Sequence, residues 1–376
     1  MKKRHFETLA VRGGAEVDPE TGALVPPLHL STTFERDPDG GYRRDFSYSR
    51  SDNPNRRALE RLIAELEGGE EAAAFASGSA AAGAVFRSLR PGDHALAPRE
   101  MYHGIRSLLL QALIPWGLDL TFVEMTDLTE VRAALRPETR LIWAETPSNP
   151  RLGITDLAAL ADLAGEVGAV VACDNTWTPP PLQPAFELGA GLVVHATTKY
   201  LAGHSDLIGG VVVAPRGGTE LFERIRFLQR NEGAVPAPFD CWLTMRGIRT
   251  LPYRIRAQQE GASAIAHFLA GHSRVERVNY PGLPDHLGHD VARRQMTGFG
   301  AMLSFEVAGG EEAALGVAAR AELITRATSL GGIETLIEHR ASIEGPESPT
   351  PDNLLRLSVG LEHPDDLIAD LEQALA

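Results

Sequence analysis

Short, continuously apolar segments alternate with segments of helical periodicity through the middle of the chain, and this alternation constrains the fold most strongly. Five apolar segments are predicted to be strands: residues 120–125, 141–145, 169–174, 192–197 and 210–214. Continuous apolar character is typical of strands that are covered on both faces. A helix is predicted over 156–167, where apolar residues share one face and Gly168 ends the pattern. Alternating strands and helices predict an α/β protein with a mostly parallel, doubly wound sheet.

The segments before and after this alternation have different patterns. Residues 1–53 contain several glycine and proline pairs and little periodicity, which indicates an extended arm. Asn53 and Pro54 then favour a helix start, since asparagine caps helices and proline suits their first turn. Four further elements are predicted: a long helical stretch over 246–269, strands near 301–307 and 354–359, and a helix over 365–375. We therefore expect three parts: an arm over 1–53, a larger domain over 54–238 and a smaller C-terminal α/β domain over 239–376.

Charge and cysteine content argue against several classes of partner. The 376 residues include 36 basic and 50 acidic side chains, a formal net charge of -14, whereas nucleic acids and anionic membranes select basic surfaces. The sequence has neither a signal-peptide pattern nor the roughly 20 successive apolar residues that a membrane span needs. Two cysteines, Cys173 and Cys241, are too few for a disulfide framework. We therefore expect a cytoplasmic protein that binds neither nucleic acid nor membrane.

Polar residues gather where the predicted strands end. Glu145 and Asp174 each close a predicted strand, and Lys199 follows another. Ser77, Gly78 and Ser79 precede an alanine-rich helical segment. The carboxyl ends of parallel strands lie at one edge of a doubly wound sheet, where such folds bind their ligands. We expect these residues to form one site.

Each of these residues has both a chemical and an ordinary structural interpretation. A partly desolvated Lys199 can lose its proton and attack a carbonyl, but lysines also extend to solvent from apolar surroundings. Asp174 can pair with a cation or cap a helix, and the Ser77-Gly78-Ser79 segment can hold a phosphate or form a simple turn. Their combination favours pyridoxal phosphate, which requires a lysine for its aldehyde, a carboxylate for its ring nitrogen and a cradle for its phosphate.

Several motifs resemble those of a known family. They are YSRSDNP (48–54), ETPSNP (145–150), DN (174–175), HATTKY (195–200), GHSD (203–206), SLGG (329–332) and RLSVG (356–360). In this order they are similar to the cysteine and methionine metabolism family of pyridoxal-phosphate enzymes, and the similarity runs from about Thr8 to Leu375. The resemblance implies the aspartate-aminotransferase-like fold (fold type I) with pyridoxal 5'-phosphate as cofactor. Family members include cystathionine γ-synthase, γ-lyase and β-lyase, methionine γ-lyase and the homoserine sulfhydrylases.

The resemblance also implies roles for three residues around the cofactor ring. Lys199 would bind the cofactor covalently and later move protons, and Asp174 would pair with the ring nitrogen. Tyr102 would stack on the ring. Lys199 and Tyr102 are therefore the expected catalytic residues.

The remaining ligands implied by the resemblance fall into two groups. The expected phosphate ligands are Gly78, Ser79 and Thr198, joined by Tyr48 and Arg50 from a neighbouring subunit. The expected ligands of the substrate's α-carboxylate are Asn149, Ser329 and Arg356, the last through the planar fork of its guanidinium. We therefore expect a homo-oligomer in which two subunits share each site, assembled as a tetramer of such dimers.

The resemblance implies a trans-sulfuration enzyme whose substrate is a small sulfur amino acid. The expected reaction is γ-elimination or γ-replacement on cystathionine or an O-activated homoserine. Cystathionine β-lyase, methionine γ-lyase and homoserine sulfhydrylase activities stay open as alternatives, and so does a cofactor-binding regulatory protein with little turnover.

Some positions depart from the family's usual pattern. Ala196 stands where a phosphate-binding serine is usual, and whether the neighbouring Thr197 compensates is open. Ser47 and Thr328 stand where cystathionine enzymes often have acidic residues, which weakens the expectation of strict cystathionine specificity. Arg340 adds a cation near the expected substrate entrance.

One further cluster has a metal-like composition. His286 and His289 lie with Asp285 and Asp290 in a loop rich in proline and glycine. Metal sites generally need a third protein ligand and supporting hydrogen bonds. We therefore expect this loop to be solvated and expect no metal site.

Overall fold

The structure of the protein, a computed structural model, describes residues 4–14, 16–42, 44–345 and 350–376. Its helices are α1 (Phe6–Arg12), α2 (Pro54–Glu67), α3 (Gly78–Arg87), α4 (His103–Leu108), α5 (Ile114–Trp116), α6 (Leu128–Ala134), α7 (Leu157–Val167), α8 (Glu220–Glu232), α9 (Pro238–Ile248), α10 (Leu251–Ala270), α11 (His289–Gln295), α12 (Gly310–Arg320), α13 (Arg340–Glu344) and α14 (Pro364–Leu375), with a π-helical turn over Leu109–Leu113 between α4 and α5. Its strands are β1 (Glu71–Phe75), β2 (His94–Pro98), β3 (Asp119–Val123), β4 (Thr139–Glu145), β5 (Val170–Asp174), β6 (Leu192–His195), β7 (Gly210–Ala214), β8 (Val275–Asn279), β9 (Met302–Val307), β10 (Thr325–Arg326), β11 (Leu336–His339) and β12 (Leu354–Ser358). Among the described residues, every helix is too short or too polar to cross a membrane.

The larger sheet has seven strands in the order β1-β7-β6-β5-β4-β2-β3. The strands β6, β5, β4, β2 and β3 are mutually parallel. Only β7 breaks the pattern within this sheet, because it runs antiparallel to both β6 and β1. The predicted mostly parallel, doubly wound sheet is confirmed.

Alternate side chains of β4 point to opposite faces of this sheet, as the two-residue period of a strand requires. Leu141 and Trp143 belong to the apolar cluster that includes Phe86 of α3. Ile142 belongs to the cluster on the other face, with Leu160 of α7. Because apolar clusters cover both faces, the centre of the strand (residues 141–144) is continuously apolar, which explains why the sequence predicted it.

Two strands of the larger sheet, β1 and β2, were not predicted. Their sequences, EAAAF and HALAP, are rich in alanine, which has little preference for strands. Ala73 and Ala97 are nevertheless completely buried. Pairing with neighbouring strands and packing against helices determine these two strands, so local sequence preference does not reveal them.

The smaller sheet has five strands in the order β10-β11-β12-β9-β8. The β10–β11 pair is parallel, and the other pairs are antiparallel. Leu303 and Phe305 of β9 and Leu357 of β12 belong to the same apolar cluster as Ile142 of the larger sheet. The two sheets therefore share a continuous core, and the division of the chain at residues 53 and 238 stays a prediction.

The helical stretch predicted over 246–269 consists of two helices. α9 ends at Ile248, and α10 begins at Leu251 with Pro252 in its first turn. Proline lacks the backbone N–H that a continuous helix would use, so the break falls just before it. A Cβ at Gly247 would lie 2.1 Å from the Ala202 carbonyl oxygen, so α9 packs directly against the loop that follows β6.

The arm is extended apart from α1, a short helix that was not predicted, and it is fastened to α2. Asn53 caps α2 because its side-chain oxygen accepts a 2.9 Å hydrogen bond from the Asn55 N–H. The Asn53 amide also donates to the His29 carbonyl at 3.0 Å. Farther along the arm, Thr33 pairs with Tyr48 in an isolated antiparallel bridge. The helix start predicted from Asn53 and Pro54 is confirmed.

Candidate active site

A cavity of about 700 Å³ lies between the carboxyl ends of β4, β5 and β6 and the smaller sheet. Residues predicted for the site that line it are Gly78, Ser79, Tyr102, Asn149, Asp174, Thr198, Lys199, Ser329 and Arg356. Tyr48 and Arg50 do not line it. The structure thus brings strand ends of one sheet together with residues of the other.

Lys199 lies in the turn after β6, with its side chain half-buried in the cavity wall. Its ammonium donates a 2.7 Å hydrogen bond to the Ser329 hydroxyl. Burial, and then the nearby charge of Arg356, lower the pKa of Lys199 to about 8. A lysine with this pKa is neutral in a useful fraction of molecules near neutral pH and can attack a carbonyl or take up a proton.

Asp174 is the last residue of β5 and lines the cavity. One of its carboxylate oxygens accepts hydrogen bonds from the Thr176 N–H at 3.1 Å and the Thr176 hydroxyl at 2.5 Å. Burial raises the pKa of Asp174 even though these bonds act in the opposite direction. A cation placed in the cavity beside Asp174 would favour its ionised form.

Glu145 ends β4 directly opposite Asp174 in the register of the two strands. Its carboxylate accepts a 2.8 Å hydrogen bond from the Tyr102 N–H, so it holds the residue that precedes α4. Burial, and then the charge of Asp174, raise the pKa of Glu145 well above its ordinary value. The sequence placed Glu145 among the polar residues at the strand ends, but it gave this residue no separate role.

The start of α3 forms a third side of the cavity. The Ser77 hydroxyl caps α3 by accepting from the Ala80 N–H at 3.0 Å. A Cβ at Gly78 would lie 2.8 Å from the Ala196 Cβ, so only glycine fits between the helix and the loop after β6. The first N–H groups of a helix are natural donors to a phosphate.

The loop after β6 supplies fewer hydroxyl groups to this end of the cavity than its sequence indicates. Ala196 lines the cavity, whereas Thr197 is buried and does not line it. Thr197 therefore does not compensate for the absence of a serine at Ala196. The Thr198 hydroxyl donates to the Gly209 carbonyl at 3.2 Å and accepts from the Gly209 N–H at 3.0 Å.

Arg356 of β12 lies at the other end of the cavity and is buried. One Nη donates to the Asn149 side-chain oxygen at 3.1 Å, and the other donates to the Ser329 carbonyl at 3.1 Å and to Glu338 at 2.6 Å. Burial, and then the charge of Arg340, lower the pKa of Arg356 to about 10. These bonds use three of the five donor hydrogens of the guanidinium.

Arg340 lines the cavity, but its charge is already paired within the protein. Its side chain is only 3% exposed and donates to Glu338 at 2.8 Å and to Glu344 at 2.7 Å. Burial lowers the pKa of Arg340, but the two carboxylates outweigh burial and raise it overall. The cationic character expected at the entrance is therefore neutralised within the protein.

Comparisons with known proteins identify the family. The family model for Cys/Met metabolism PLP-dependent enzymes matches residues 7–376. The chain belongs to this family. It is therefore an enzyme that uses pyridoxal 5'-phosphate, with the carbon–sulfur lyase or transferase chemistry of trans-sulfuration, and the family predicted from the sequence motifs is confirmed.

Individual relatives have closely related activities. A cystathionine gamma-synthase of Mycobacterium tuberculosis is 47% identical over 374 residues, which cover 98% of this chain and 96% of the relative. A cystathionine gamma-lyase of Bacillus subtilis is 41% identical over 383 residues, covering 100% of this chain and 99% of the relative. A solved structure, the cystathionine gamma synthase of Xanthomonas oryzae pv. oryzae in complex with aminoacrylate and cysteine, superposes with a TM-score of 0.95 at 41% identity, covering 99% of this chain and 98% of that chain.

The donor set of the cavity fits the family's cofactor. Lys199 has the lowered pKa that attack on an aldehyde requires, and Asp174 places a carboxylate at the end of β5 for the ring nitrogen. Gly78 is the first residue of a ten-residue helix, and its lack of a side chain leaves a space that a larger residue would fill. These three features lie on three sides of one cavity, as an aldehyde, a ring nitrogen and a phosphate on one molecule demand.

Two residues predicted as phosphate ligands, Tyr48 and Arg50, lie outside the cavity of their own chain. Arg50 donates to the Arg230 carbonyl near the end of α8. Tyr48 is 44% exposed, with the Arg50 guanidinium 5.7 Å from the centre of its ring. Neither residue reaches the cavity of its own chain.

Two positions that depart from the family's usual pattern differ in their relation to the cavity. Thr328 lines the cavity, whereas Ser47 does not. His204, in the loop after Lys199, has its ring nitrogen 2.8 Å from the Ala202 carbonyl oxygen, a contact that supports the loop.

The histidine loop is only partly solvated: Asp285 and Asp290 are exposed, as expected, whereas the two histidine rings contact the backbone. His286 is buried, with its ring 2.9 Å from the Leu152 carbonyl oxygen, and His289 lies 2.8 Å from the Pro281 carbonyl oxygen. Each histidine ring therefore contacts a backbone carbonyl oxygen of the protein itself. In the described part of the chain, no group of three or more histidine, cysteine, aspartate and glutamate side chains is placed to hold a metal ion.

Proposed function

We propose that the enzyme catalyses γ-elimination or γ-replacement on cystathionine or an O-activated homoserine. The observation that supports this most is the position of Lys199. Its amine, with a pKa of about 8, lies in one cavity with the buried guanidinium of Arg356. The cavity thus offers a proton acceptor and a carboxylate partner for an amino-acid substrate.

We propose that the cofactor is held from three sides. Lys199 binds its aldehyde carbon, Asp174 receives its protonated ring nitrogen, and Tyr102 stacks on its ring. Gly78, Ser79 and Thr198 hold its phosphate through N–H and hydroxyl groups. For Thr198 this requires the hydroxyl to turn away from the Gly209 carbonyl that it contacts.

The substrate's α-carboxylate binds Arg356, Asn149 and Ser329 in this proposal. The described residues leave two of the five N–H donors of Arg356 for this contact. Asn149 and Ser329 each already contact Arg356, so the three groups are held together before the substrate arrives. Such preorganisation limits the entropy lost on binding.

The chemistry then depends on proton transfers by Lys199. When bound, pyridoxal phosphate withdraws electrons from the substrate's α-carbon and so makes its hydrogen acidic. Once the substrate's amino group has replaced Lys199 on the cofactor's aldehyde carbon, the freed Lys199 amine would take that proton, with the Ser329 hydroxyl holding the amine in place. Because Asp174 is ionised when it faces a cation, it stabilises the positive ring nitrogen throughout.

Two positions at which cystathionine enzymes often have acidic residues bear on specificity. Thr328 lines the cavity, where Glu334 also lies, and Ser47 does not reach it. The charge-assisted contacts that acidic residues at Ser47 and Thr328 would make with a distal ammonium are therefore absent from this chain. We infer that cystathionine is not the only substrate accepted and that O-activated homoserines are accepted as well.

We further propose a homo-oligomer in which Tyr48 and Arg50 of each chain complete the phosphate site of a neighbour, with two such dimers forming a tetramer. The exposure of Tyr48 and the distance of Arg50 from its own cavity support this arrangement. The two buried, free cysteines are consistent with a cytoplasmic enzyme, which we also propose.

An activity panel tests the proposed reaction. Purified enzyme is supplied with cystathionine, O-succinylhomoserine or O-acetylhomoserine, each with and without cysteine, and thioether, oxo acid and released thiol are measured. Cystathionine made from an activated homoserine indicates γ-replacement, and cysteine released from cystathionine indicates γ-elimination. Homocysteine release instead indicates β-cleavage and contradicts the proposal. Lys199→Ala is the matched control and should lower the rate by roughly 100-fold or more.

A spectrum tests the cofactor contacts separately. The purified enzyme should have a visible absorption band that Lys199→Ala abolishes. A wild-type protein that is colourless and gains no band when pyridoxal phosphate is added would contradict the role of Lys199. Complete absence of turnover with an intact band would favour the alternative of a regulatory protein.

A further inference from the structure

Four charged side chains form a connected network beside the cavity, which two of them, Arg340 and Arg356, line. Glu338 and Arg356 are directly opposite each other on β11 and β12. The Arg356 Nη2 group donates to the Glu338 Oε2 oxygen at 2.6 Å, and the Arg340 Nη1 group donates to the same oxygen at 2.8 Å. Arg340 also donates to Glu344 through Nη2 at 2.7 Å and Nε at 3.2 Å. Each of the four side chains is less than a tenth exposed.

Among the described residues, two guanidinium groups face two carboxylates in this network, and the Thr350 hydroxyl also donates to Glu344 at 2.6 Å. The Glu338 Oε1 oxygen is buried and has no hydrogen-bond partner among the described residues. The Oε2 oxygen therefore makes all the contacts that balance the charge of Glu338, and it divides them between Arg340 and Arg356.

This division affects how Arg356 meets a substrate. A carboxylate that faces two cations attracts each of them less strongly than a carboxylate that faces one. Without Arg340, Glu338 would pair with Arg356 alone and would compete with an incoming carboxylate for its guanidinium. The pair would also be buried, where such competition is strong.

We propose that Arg340 is a positioning residue for the substrate's α-carboxylate. It shares and orients Glu338, and so keeps the remaining N–H groups of Arg356 available to the substrate. Glu344 anchors Arg340 one helical turn along α13. The inference rests on the proposed function, in which Arg356 receives the carboxylate.

The test compares two ligands that differ only at the carboxylate. Holoenzyme is titrated with L-alanine and with L-alaninamide, and binding is followed through the visible absorption of the cofactor. Arg340→Met should weaken L-alanine binding about tenfold and leave L-alaninamide binding unchanged. Arg340→Lys should recover part of the loss, because it restores the charge without the planar fork. In turnover, the KM should rise while kcat changes little.

Control variants separate this role from a general loss of stability. Arg226 forms a different, largely buried ion pair with Glu60, in a cleft separate from the cavity. Arg226→Met removes this pair and should leave the affinities for L-alanine and L-alaninamide unchanged. Thermal unfolding of each cofactor-free variant reports folding. If Arg340→Met does not fold, Glu344→Gln serves instead, because it loosens Arg340 and should give a smaller loss confined to L-alanine.

The outcomes distinguish the inference from the proposed function. Equal weakening of L-alanine and L-alaninamide, or no weakening of either, would overturn the role of Arg340. If wild type itself does not prefer L-alanine, or if Arg356→Lys keeps that preference, the assignment of Arg356 in the proposed function fails instead.

Discussion

The Lys199 amine and the Ser329 hydroxyl are joined by a 2.7 Å hydrogen bond that links the part of the chain with the larger sheet to the part with the smaller one. The backbone around both residues fixes this contact. Ser329 has a φ of 88°, and two residues later Gly331 has a φ of 74°. A Cβ at Gly331 would lie 2.7 Å from the Tyr200 nitrogen. The turn that carries Ser329 therefore rests directly on the backbone beside Lys199.

Gly331→Ala should disturb this contact. The new methyl group must push the turn away from Tyr200, and alanine is also strained at positive φ. We expect a loss of about 1 to 3 kcal/mol in the free energy of unfolding, together with a fall in kcat/KM. Gly217→Ala is the matched control, because Gly217 has a φ of 87° with nothing within 4 Å of the added Cβ. That variant should lose only stability. An equal loss of activity in Gly331→Ala and Gly217→Ala would show that the close packing of Gly331 against Tyr200 is not important for activity.

Lys199 should reduce the stability of the cofactor-free protein at neutral pH. Its pKa falls from 10.5 in an unfolded chain to about 8 in the fold, because burial disfavours the charged form. Below pH 8 the folded protein must hold this buried charge, and between pH 8 and 10.5 the unfolded chain binds more protons, so stability rises with pH. Lys199→Met removes this dependence.

Chemical denaturation of the two cofactor-free proteins measures the effect. At pH 7, Lys199→Met should be more stable than wild type by at most about 3 kcal/mol, and the difference should shrink toward pH 10.5. A difference that is constant across this pH range would mean that Lys199 has an ordinary pKa in the fold.

Local signals allowed much of the larger sheet to be predicted. The start of α2 could be read from Asn53 and Pro54, because a cap depends on neighbouring residues only. Asp174 and Lys199 could be identified because parallel strands end at one edge. The alanine-rich strands β1 and β2 could not be predicted, because pairing with neighbouring strands determines them.

The far side of the site could not be derived from local pattern. Arg356 reaches the cavity because β12 pairs with β11 and the smaller sheet packs against the larger one, and only family resemblance indicated this residue. The pairing of Arg340 could be predicted in part. Glu344 follows it by four residues, a spacing at which opposite charges pair on a helix. The second partner, Glu338, faces it only after the chain turns from β11 into α13.

Glu145 should be needed for the position of Tyr102. Glu145→Ala removes the acceptor of the Tyr102 N–H, whereas Glu145→Gln keeps an oxygen that can accept it. We expect the alanine variant to bind pyridoxal phosphate about tenfold more weakly and the glutamine variant to bind within about threefold of wild type. Fluorescence titration of the cofactor-free proteins measures both affinities. Equal weakening in the two variants would point to the charge of Glu145 and away from its hydrogen bond.

Glu145→Gln also has a pH signature. Burial and the charge of Asp174 raise the pKa of Glu145 in the fold, so the folded protein keeps a proton that the unfolded chain loses. This contribution stabilises the wild type fully below pH 4.5 and is lost as the pH rises toward the folded pKa. The glutamine variant should therefore gain stability relative to wild type from pH 4.5 upward, as measured by denaturation at pH 4, 6 and 7.5. If the stability difference between Glu145→Gln and wild type were the same at all three pH values, the raised pKa of Glu145 would be contradicted.

A site shared between subunits can be tested by mixing two inactive variants. Arg50→Ala removes a residue that we assign to the neighbour's phosphate site, and Lys199→Ala removes a residue of the chain's own cavity. In a hybrid dimer, the Arg50→Ala chain keeps its own Lys199 and receives Arg50 from its partner, so one of the two sites is intact. After unfolding and refolding an equal mixture, about a quarter of all sites should be intact, and activity should return to that level. Each variant refolded alone is the control and should stay inactive. If Arg50 instead acted within its own chain, every site in the mixture would lack one residue and no activity would return.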